Sequence, residues 1–307
     1  MESSMGPERV HKSVLVKEVF EALDLTRFAH LNRPVKLIDA TVGTGGHALV
    51  ALKVGIDVLG IDMDPVMLEV AQQRLKEACP TTNPKVGGSF KLVQGNFRKI
   101  DEIATANGFS QVEGIVFDLG VSNVHFKADP RGFSFEDPEA RLDMRLDPKS
   151  QGVTASNLLN GLRRDQLEAL FEATMELRIA REVARRVEKE RSIKPFVTVG
   201  DFLGVLGGLK ARKLHPATRA FLALRMAVGS ELGNLLEALP RALGLLSPGA
   251  RLAVISFHSG EDGVVKDFFK NSSQGRVITP KPITPSPFET AENPRSRSAK
   301  LRVLEKI

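Results

Sequence analysis

The chain of 307 residues contains no tryptophan, no tyrosine and a single cysteine, Cys79. One cysteine excludes a disulfide framework within the chain and any cysteine-based zinc site. Its histidines show no metal-ligand spacing either, so we expect no metal. No apolar run approaches the roughly 20 residues that span a bilayer. The N-terminal segment also lacks the apolar core of a signal peptide, so we expect a cytoplasmic protein without a membrane partner.

Positive charge is in modest excess. Lysine and arginine total 43 and aspartate and glutamate total 37, which gives a net charge of +6 and an isoelectric point near 9.5. This balance suits a polyanionic partner such as RNA or DNA, and it is equally common among other enzymes. Without tryptophan or tyrosine, a side chain that stacks on a base must be one of the 17 phenylalanines, a histidine or an arginine.

Apolar strand segments alternate with helical segments in the first part of the chain. Strands are predicted at 35–42, 57–64, 89–97 and 112–120, and near the C-terminus at 251–257 and 300–307. Continuous apolar strands separated by helices are typical of a mostly parallel sheet with helices on both faces. The sequence therefore predicts an α/β fold with a doubly wound sheet.

In the middle of the chain the strand signal stops and helical patterns dominate. We interpret residues 123–228 as a helical insertion in one α/β domain, which residues 1–122 and 229–307 form together. The stretch 279–298 is rich in proline and serine, and this composition predicts a loop.

The stretch LIDATVGTGGHALV, residues 37–50, places Gly43, Gly45 and Gly46 between an apolar strand and an apolar helix. Glycines this close together are entropically costly, so they indicate a tight turn or a ligand lying against the backbone. The spacing satisfies G-x-G-x-x-A, and Asp62 follows at the distance of an acid that binds a ribose hydroxyl. A dinucleotide and S-adenosylmethionine (SAM) both fit this pattern.

Two aspartates at strand ends favour SAM. Asp39 ends the first strand, where a carboxylate can orient the methionyl ammonium, and Asp118 ends the fourth. In an open parallel sheet, ligands bind at the carboxyl ends of the strands, so we expect Asp39, Asp62, Phe97 and Asp118 to line one crevice. Any one of the acids could instead cap a helix, but so many positions at one edge favour a ligand site.

Ordered motifs run through nearly the whole chain. They are HKSVLVKEV, DATVGTGGH, GIDMDP, GNF, DLGVS, RGFSF, LDMRLD, HPATRAFLALR, SPGARLAVISFHSGED, PS and NPRSRSAKLR. With these motifs the chain resembles the bacterial 16S rRNA (cytosine-N4)-methyltransferases, which are class I SAM-dependent enzymes. The resemblance implies a seven-stranded Rossmann-like sheet and methyl transfer from SAM to the N4 amine of a decoding-centre cytidine. It implies the small ribosomal subunit as partner, and it leaves monomer and homodimer open.

The resemblance also implies which residues contact the cofactor. By position, these contacts fall on Gly45, Gly46, His47, Asp62, Phe97, Asp118 and His125. We add Asp39 and Gly43 from the strand-end and loop pattern. Asp62 is expected to bind the ribose, and Phe97 is expected to pack near the adenine.

The fourth strand ends in DLG, where related amino-methyltransferases carry an acid or amide followed by two prolines and an aromatic. We predict that Asp118, or the backbone carbonyl of Leu119, accepts a hydrogen bond from N4 and orients the amine for transfer. The aromatic of that motif is missing here. Phe133, and Phe257 with His258, are therefore the candidates to stack on the target base.

Further substrate contacts are predicted outside the strand ends. Asp143 and Arg145 either shape the base pocket or form a structural ion pair. Phosphate contacts are predicted for two basic clusters, which are Arg212, Lys213 and Arg219 in the insertion and Arg295 and Arg297 near the C-terminus. The insertion is therefore expected to serve RNA recognition.

Several positions depart from the family pattern. The family usually has serine at Asn123, glutamine at His125 and Leu222, leucine at Gly260 and arginine at Gly263. The two glycines keep a second hypothesis open, a non-enzymatic SAM-binding factor in ribosome assembly. A DNA amino-methyltransferase is disfavoured by the missing prolyl motif, and a nicotinamide dehydrogenase is disfavoured by the strand-end acids.

Overall fold

Strand segments from both ends of the chain form a seven-stranded sheet in the computed structural model, which describes residues 13–78, 88–120, 130–209 and 216–307. The strands are β1 Lys36–Asp39, β2 Asp57–Asp62, β3 Phe90–Gln94, β4 Val112–Asp118, β5 Leu246–Ser256, β6 Gly275–Val277 and β7 Lys300–Lys306. Their order is β3-β2-β1-β4-β5-β7-β6. Strands β1 to β5 are parallel, and β7 is antiparallel to β5 and β6, which confirms the predicted fold class.

The parallel strands are apolar on both faces because helices cover both sides of the sheet. Ile38 and Ile115 pack into one hydrophobic cluster, while their neighbours Leu37 and Val116 pack into another. Successive side chains of a strand point to opposite faces, so each strand contributes to both clusters. This is why the strand segments are continuous apolar runs in the sequence.

Helices follow most strands and also form the middle of the chain. In chain order, the α-helices of the described residues are α1 Val16–Leu23, α2 Gly46–Lys53, α3 Pro65–Ala78, α4 Ile100–Ala106, α5 Ala155–Gly161, α6 Arg164–Glu172, α7 Leu177–Arg191, α8 Val199–Leu206, α9 Pro216–Gly229, α10 Glu231–Leu245, α11 Ser259–Asn271 and α12 Pro287–Glu292. None of them has both the length and the apolar character that crossing a bilayer requires.

The chain divides into two compact units. The sheet unit comprises Met1–Ser122 and Leu232–Ile307, and the helical unit comprises Asn123–Glu231. In the helical unit, α7 buries Ala180, Val183, Ala184 and Val187. These residues recur every three to four positions, which is the spacing of one helix face, and the charged residues of α7 occupy the rest of its surface.

A cluster of phenylalanine rings forms part of the core of the helical unit. Phe202 of α8 is stacked on Phe171 with a centroid distance of 6.0 Å, and it also contacts Phe196 at 6.2 Å and Phe221 at 5.7 Å. Aromatic pairs at these distances add specific geometry to apolar burial. This unit therefore has an aromatic core of its own.

The segment 279–298, called the strap below, is not the loop that its composition predicts. Ile283 exchanges two backbone hydrogen bonds with Leu301, and the strap then forms α12 and a 3₁₀-helix at Pro294–Ser298. Ser286 caps α12 by accepting a hydrogen bond from the Glu289 N–H at 3.1 Å, and Pro287 occupies the first helical position. Serine and proline thus begin a helix here instead of preventing one.

Candidate active site

The glycine loop follows β1 and begins α2, and it needs glycine for two different reasons. Gly43 and Gly45 have φ angles of 49° and 80°, a left-handed region that other residues rarely adopt. At Gly46 the reason is space, because a Cβ atom there would lie 1.9 Å from Oγ of Ser13. The segment before α1 therefore packs directly against the start of α2.

Asp62, at the end of β2, is hydrogen-bonded to this loop. Its Oδ2 accepts from the Gly43 N–H at 2.8 Å, and its Oδ1 accepts from the Asp64 N–H at 2.9 Å. The predicted ribose-binding acid therefore also fixes the shape of the glycine loop. A substitution of Asp62 would therefore change the glycine loop as well as remove the predicted ribose acceptor.

Acidic side chains form a row along the carboxyl edge of the sheet, following the spatial order β2-β1-β4-β5. They are Asp62, Asp39, Asp118 and Glu261, the last from α11 directly after β5. Asp39 is 1% exposed, and desolvation raises its pKa to about 7, with the negative charge of Asp62 adding to that increase. Backbone hydrogen bonds from Thr41 and Ala48 act in the opposite direction.

Asp118 is a second carboxyl of this row with a raised pKa. Burial raises its pKa well above the usual range, and the charges of Asp39 and Glu261 raise it further. Its Oδ1 atom is buried and has no hydrogen-bond partner among the described residues. A buried acceptor without a partner lowers stability and is characteristic of a group kept for chemistry.

His47 of α2 lies beside Asp118. Its Nε2 is 3.2 Å from the carbonyl oxygen of Val14, and its Nδ1 is 3.9 Å from Oδ2 of Asp118. Because a carbonyl only accepts hydrogen bonds, Nε2 carries a proton and Nδ1 faces the carboxyl. His47 is 3% exposed, so its ring is shielded from solvent where it lies beside Asp118.

The carboxyl end of β5 adds Phe257, His258 and Glu261. His258 caps α11 by accepting a hydrogen bond from the Glu261 N–H at 3.3 Å, and Glu261 Oε2 accepts from the Phe257 N–H at 2.9 Å. The sequence reasoning gave Glu261 no role, although its position three residues after His258 is the spacing of a helix cap. Phe257 lies beside Gly120, where a Cβ atom would be 3.7 Å from the ring.

The sequence SGED, residues 259–262, has the spacing of a capping box, but Ser259 and Asp262 do not form one. The cap is His258, and Asp262 instead pairs with Arg302 at 2.7 Å and with Lys300 at 3.0 Å. These two cations hold the pKa of Asp262 below its ordinary value, against the effect of burial. Lys300 and Arg302 are thus engaged in an ion-pair cluster of the sheet unit.

Phe97 follows β3 and is half-buried. Its ring meets Phe117 of β4 edge to face, with a centroid distance of 5.6 Å. Leu119 is 6% exposed, and its N–H donates to the Ile255 carbonyl at 3.0 Å, which continues the β4–β5 pairing. Among the described residues, the edge that carries Asp39, Asp62 and Asp118 therefore gathers the predicted cofactor and catalytic residues of the sheet unit.

Three predicted substrate residues of the helical unit, Phe133, Asp143 and Arg145, make contacts that stabilise the unit itself. Phe133 is 4% exposed, and the Arg131 guanidinium lies 5.3 Å above its ring, so Phe133 occupies a core position. Arg145 pairs with Asp143 through two hydrogen bonds of 2.7 and 2.8 Å. It also donates to the carbonyls of Pro148 and Gln151, so this ion pair closes a local turn.

Some of the remaining predicted residues are described by the structure and others are not. Arg219 is half-buried on α9, and Arg295 and Arg297 are exposed on the strap. Four positions singled out in the sequence lie outside the described residues, namely Asn123, His125, Arg212 and Lys213.

Comparison with known proteins places this geometry in context. The model of the MraW methylase family matches residues 8–307. A ribosomal RNA small subunit methyltransferase H from Thermotoga neapolitana is 39% identical, covering 97% of this chain and 96% of that protein. A protein of the same name from Dictyoglomus thermophilum is 38% identical, covering 97% of each. The solved structure of an rRNA methylase from Streptococcus thermophilus covers 95% of this chain and 93% of that one, at 13% identity and a TM-score of 0.43, a likeness too distant to support a conclusion.

Proposed function

This chain belongs to the MraW methylase family, and on that premise we propose that it transfers the methyl group of SAM to the N4 amine of a decoding-centre cytidine in 16S rRNA. The names of its relatives support the coarser part of this proposal, which is methylation of small-subunit rRNA. The choice of an amine as the acceptor rests on Asp118 and on the DLGVS motif.

The sheet edge fits SAM as the cofactor. SAM carries an electrophilic methyl group on a sulfonium, together with a ribose, an adenine and a methionyl ammonium. The glycine loop offers a close backbone approach, Asp62 offers acceptors for the ribose, and Phe97 offers an apolar surface for the adenine. Asp39 is buried with a raised pKa, and a nearby ammonium would favour its ionised form.

The observation that carries the proposal is the buried Oδ1 of Asp118, which has no hydrogen-bond partner among the described residues. An amine that donates a hydrogen bond to this atom would satisfy it and would be held at the edge where the cofactor residues converge. Orientation of the amine contributes to the rate because it converts an encounter between two molecules into a positioned reaction.

The same carboxyl can also take up a proton. Transfer of the methyl group to N4 would break its bond to the sulfonium sulfur, which leaves as a neutral thioether, and the positive charge would pass to the nitrogen, which must then lose a proton. The raised pKa of Asp118 makes its carboxylate a better base than an exposed aspartate, so Asp118 suits this transfer. His47, whose Nδ1 lies 3.9 Å from Oδ2 of Asp118, is close enough to affect the charge of the carboxyl.

We further propose that the helical unit contacts the RNA backbone. A groove of this unit is lined by basic side chains together with Glu176 and Glu182, and the basic residues are Arg164, Arg178, Arg181 and Arg185. Arg178 makes no ion pair with the described residues, so its charge is available to a phosphate. Arg219, and Arg212 and Lys213 from the sequence pattern, extend the same proposal.

The test is nucleoside mass spectrometry on small ribosomal subunits and on naked rRNA from a strain that lacks this methylation. Each substrate is incubated with SAM and with either the native protein or the Asp118→Ala variant. We expect N4-methylcytidine only with the native protein. Calorimetry of SAM binding to both proteins separates a loss of cofactor binding from a loss of methyl transfer, and circular dichroism checks that the variant folds.

Other results would lead to other functions. Binding of SAM and of subunits without any methyl transfer would reject the enzyme and favour the assembly factor. A methyl group on another atom of the rRNA would keep the rRNA methyltransferase and reject N4 of cytidine as the acceptor.

A further inference from the structure

Phe288 is an exposed aromatic side chain on α12 of the strap. Its exposure is 72%, and it is the only aromatic among the exposed large apolar side chains of the described residues. An exposed phenylalanine forgoes the burial that normally stabilises its ring. The chain has no tryptophan and no tyrosine, so among the described residues Phe288 offers the most exposed aromatic ring.

Hydrogen bonds on both sides of Phe288 fix the backbone that carries its exposed ring. Before Phe288, Ile283 is joined to Leu301 by hydrogen bonds of 2.9 and 2.8 Å, and Ser286 caps α12. Directly after Phe288, Glu289 Oε1 accepts a hydrogen bond from the Leu15 N–H at 2.8 Å. A fixed platform binds more tightly than a mobile one, because less conformational entropy is lost on binding.

Contacts place the strap beside the edge of the sheet that carries the glycine loop. Leu15, which Glu289 contacts, follows Val14, and the Val14 carbonyl is the partner of His47. On the other side of the strap, Leu301 pairs with Ile255 near the carboxyl end of β5. Phe288 is therefore carried by an element that contacts Leu15, the neighbour of Val14, and Leu301, the partner of Ile255.

The charges of the strap suit a polyanion. Lys281, Arg295 and Arg297 are exposed, and Lys281 and Arg297 make no ion pair with any described residue. Of the two acids of α12, Glu289 is already engaged with Leu15. An aromatic ring with cations on either side is the arrangement by which proteins bind single-stranded nucleic acid.

We propose that Phe288 is a stacking platform for an unpaired base that neighbours the target nucleotide, with Arg297 and Lys281 on the adjoining phosphates. This inference rests on the proposed function, since it names how that substrate is held. It also replaces Phe133, whose buried ring cannot receive a base, as the stacking residue.

The first experiment uses the absence of tryptophan from the native chain. The Phe288→Trp variant contains one indole, so its fluorescence reports only this position. We expect quenching on addition of a single-stranded RNA with the decoding-centre sequence, and much weaker quenching with a duplex of the same length. Equal fluorescence with and without bound single strand would overturn the proposal.

The second experiment measures methylation kinetics. Loss of one stacked base weakens binding by about 1–3 kcal/mol, so Phe288→Ala is expected to raise KM for the rRNA roughly 5- to 150-fold. We expect kcat and SAM affinity to change less than about twofold. Phe288→Trp restores the native KM, whereas Phe288→Leu, which is apolar without a π-face, does not. Val54→Ala is the matched control, since Val54 is 67% exposed in the same unit.

The outcomes separate this inference from the proposed function. Native KM in both Phe288→Ala and Phe288→Leu would overturn the stacking platform while methylation stands. A dimer that dissociates in Phe288→Ala without a change in KM would assign the ring to a second copy of the chain. Quenching by single-stranded RNA without any methylation by the native protein would uphold the RNA contact and reject methyl transfer.

Discussion

Acidic side chains behave in opposite ways in the two units of this molecule. In the sheet unit, burial raises the pKa of Asp39 to about 7 and raises that of Asp118 well above its usual range. In the helical unit, hydrogen bonds from Arg185 and Arg186 lower the pKa of Glu182 to about 2. Lys194 likewise lowers the pKa of Asp201. These carboxyl groups are therefore shifted toward the protonated form in the sheet unit and toward the ionised form in the helical unit.

The difference shows that the sheet unit keeps acids whose burial lowers the stability of the folded chain, whereas these two acids of the helical unit are stabilised by cations. Glu182 and Asp201 are paired with cations near the surface, an arrangement that stabilises the helical unit slightly. Asp39 is buried and Asp118 is partly buried on the neighbouring strand, and among the described residues neither pairs with a lysine or an arginine. Burial of neighbouring acids destabilises the folded chain, and functional sites are where proteins retain such features.

The largest expected effect comes from Asp118→Asn. Asparagine keeps the size of the side chain but cannot accept a proton, so we expect kcat to fall by about 10²- to 10⁴-fold, the usual contribution of a positioned acid or base. The measurement is steady-state methylation of small subunits, with the amount of methylated nucleoside determined by mass spectrometry.

A control variant in the helical unit tests whether the loss of any carboxylate, and not of Asp118 in particular, lowers kcat. Asp201→Asn removes a carboxylate whose pKa is lowered by its cationic partner, and it is expected to keep native kcat. A loss of kcat in Asp201→Asn comparable to that in Asp118→Asn would break the comparison between the units.

The next largest effect is expected for Asp39→Asn. If Asp39 pairs with the ammonium of SAM, its loss should weaken SAM binding roughly 10- to 150-fold, the range of a hydrogen bond to a charged group. Binding to the native protein should strengthen as pH rises through about 7, because the carboxyl becomes ionised. Calorimetry between pH 6 and pH 8 measures this, and a pH dependence that persists in Asp39→Asn would assign the titration to another group.

The stability of the free protein should follow the opposite course. The pKa of Asp39 is raised in the folded chain, from 3.8 to about 7, so folding favours its protonated form. Its contribution to the free energy of unfolding is therefore lost as pH rises from about 4 to 7. Asp39→Asn should remove this loss, which thermal unfolding at pH 5 and pH 8 can measure.

The fold was predictable to the extent that it depends on local pattern. Parallel strands buried on both faces, such as β4, are visible as apolar runs. β6 has only three residues, and the strap depends on a contact between Glu289 and Leu15, which are 274 positions apart. Composition alone indicates a loop there, because no local pattern records a distant partner.

The candidate site was predictable where a rule connects sequence to position. The rule that ligands bind at the carboxyl ends of parallel strands singled out Asp39, Asp62 and Asp118. It did not identify Glu261, which lies on the helix after β5. It also could not separate Phe133 from Phe288, because burial of a phenylalanine depends on packing and leaves no mark in its own short motif.

Substitution of glycine by alanine is expected to have a smaller effect on stability, and the effect should have opposite signs in the two units. A Cβ atom at Gly46 would meet Ser13 at 1.9 Å, whereas a Cβ atom at Gly204 in α8 meets nothing within 4 Å. Gly46→Ala should destabilise the chain by about 1–3 kcal/mol through overpacking and should weaken SAM binding. Gly204→Ala should stabilise it by about 1 kcal/mol, as alanine does inside a helix. Denaturant unfolding tests both, and equal effects would reject the close packing of the glycine loop.

The smallest expected effect is that of Glu182→Gln. Glu182 pairs with Arg185 at 2.8 Å and with Arg186 at 2.7 Å, but its side chain is 33% exposed and solvent screens the interaction. The pairs contribute above about pH 4.5, and their contribution is lost as pH falls toward 2. Melting temperatures of native and variant protein should therefore differ slightly at pH 7 and converge at low pH. A difference as large as that of Gly46→Ala would mean that paired surface acids, and not the buried edge of the sheet, dominate the stability of this chain.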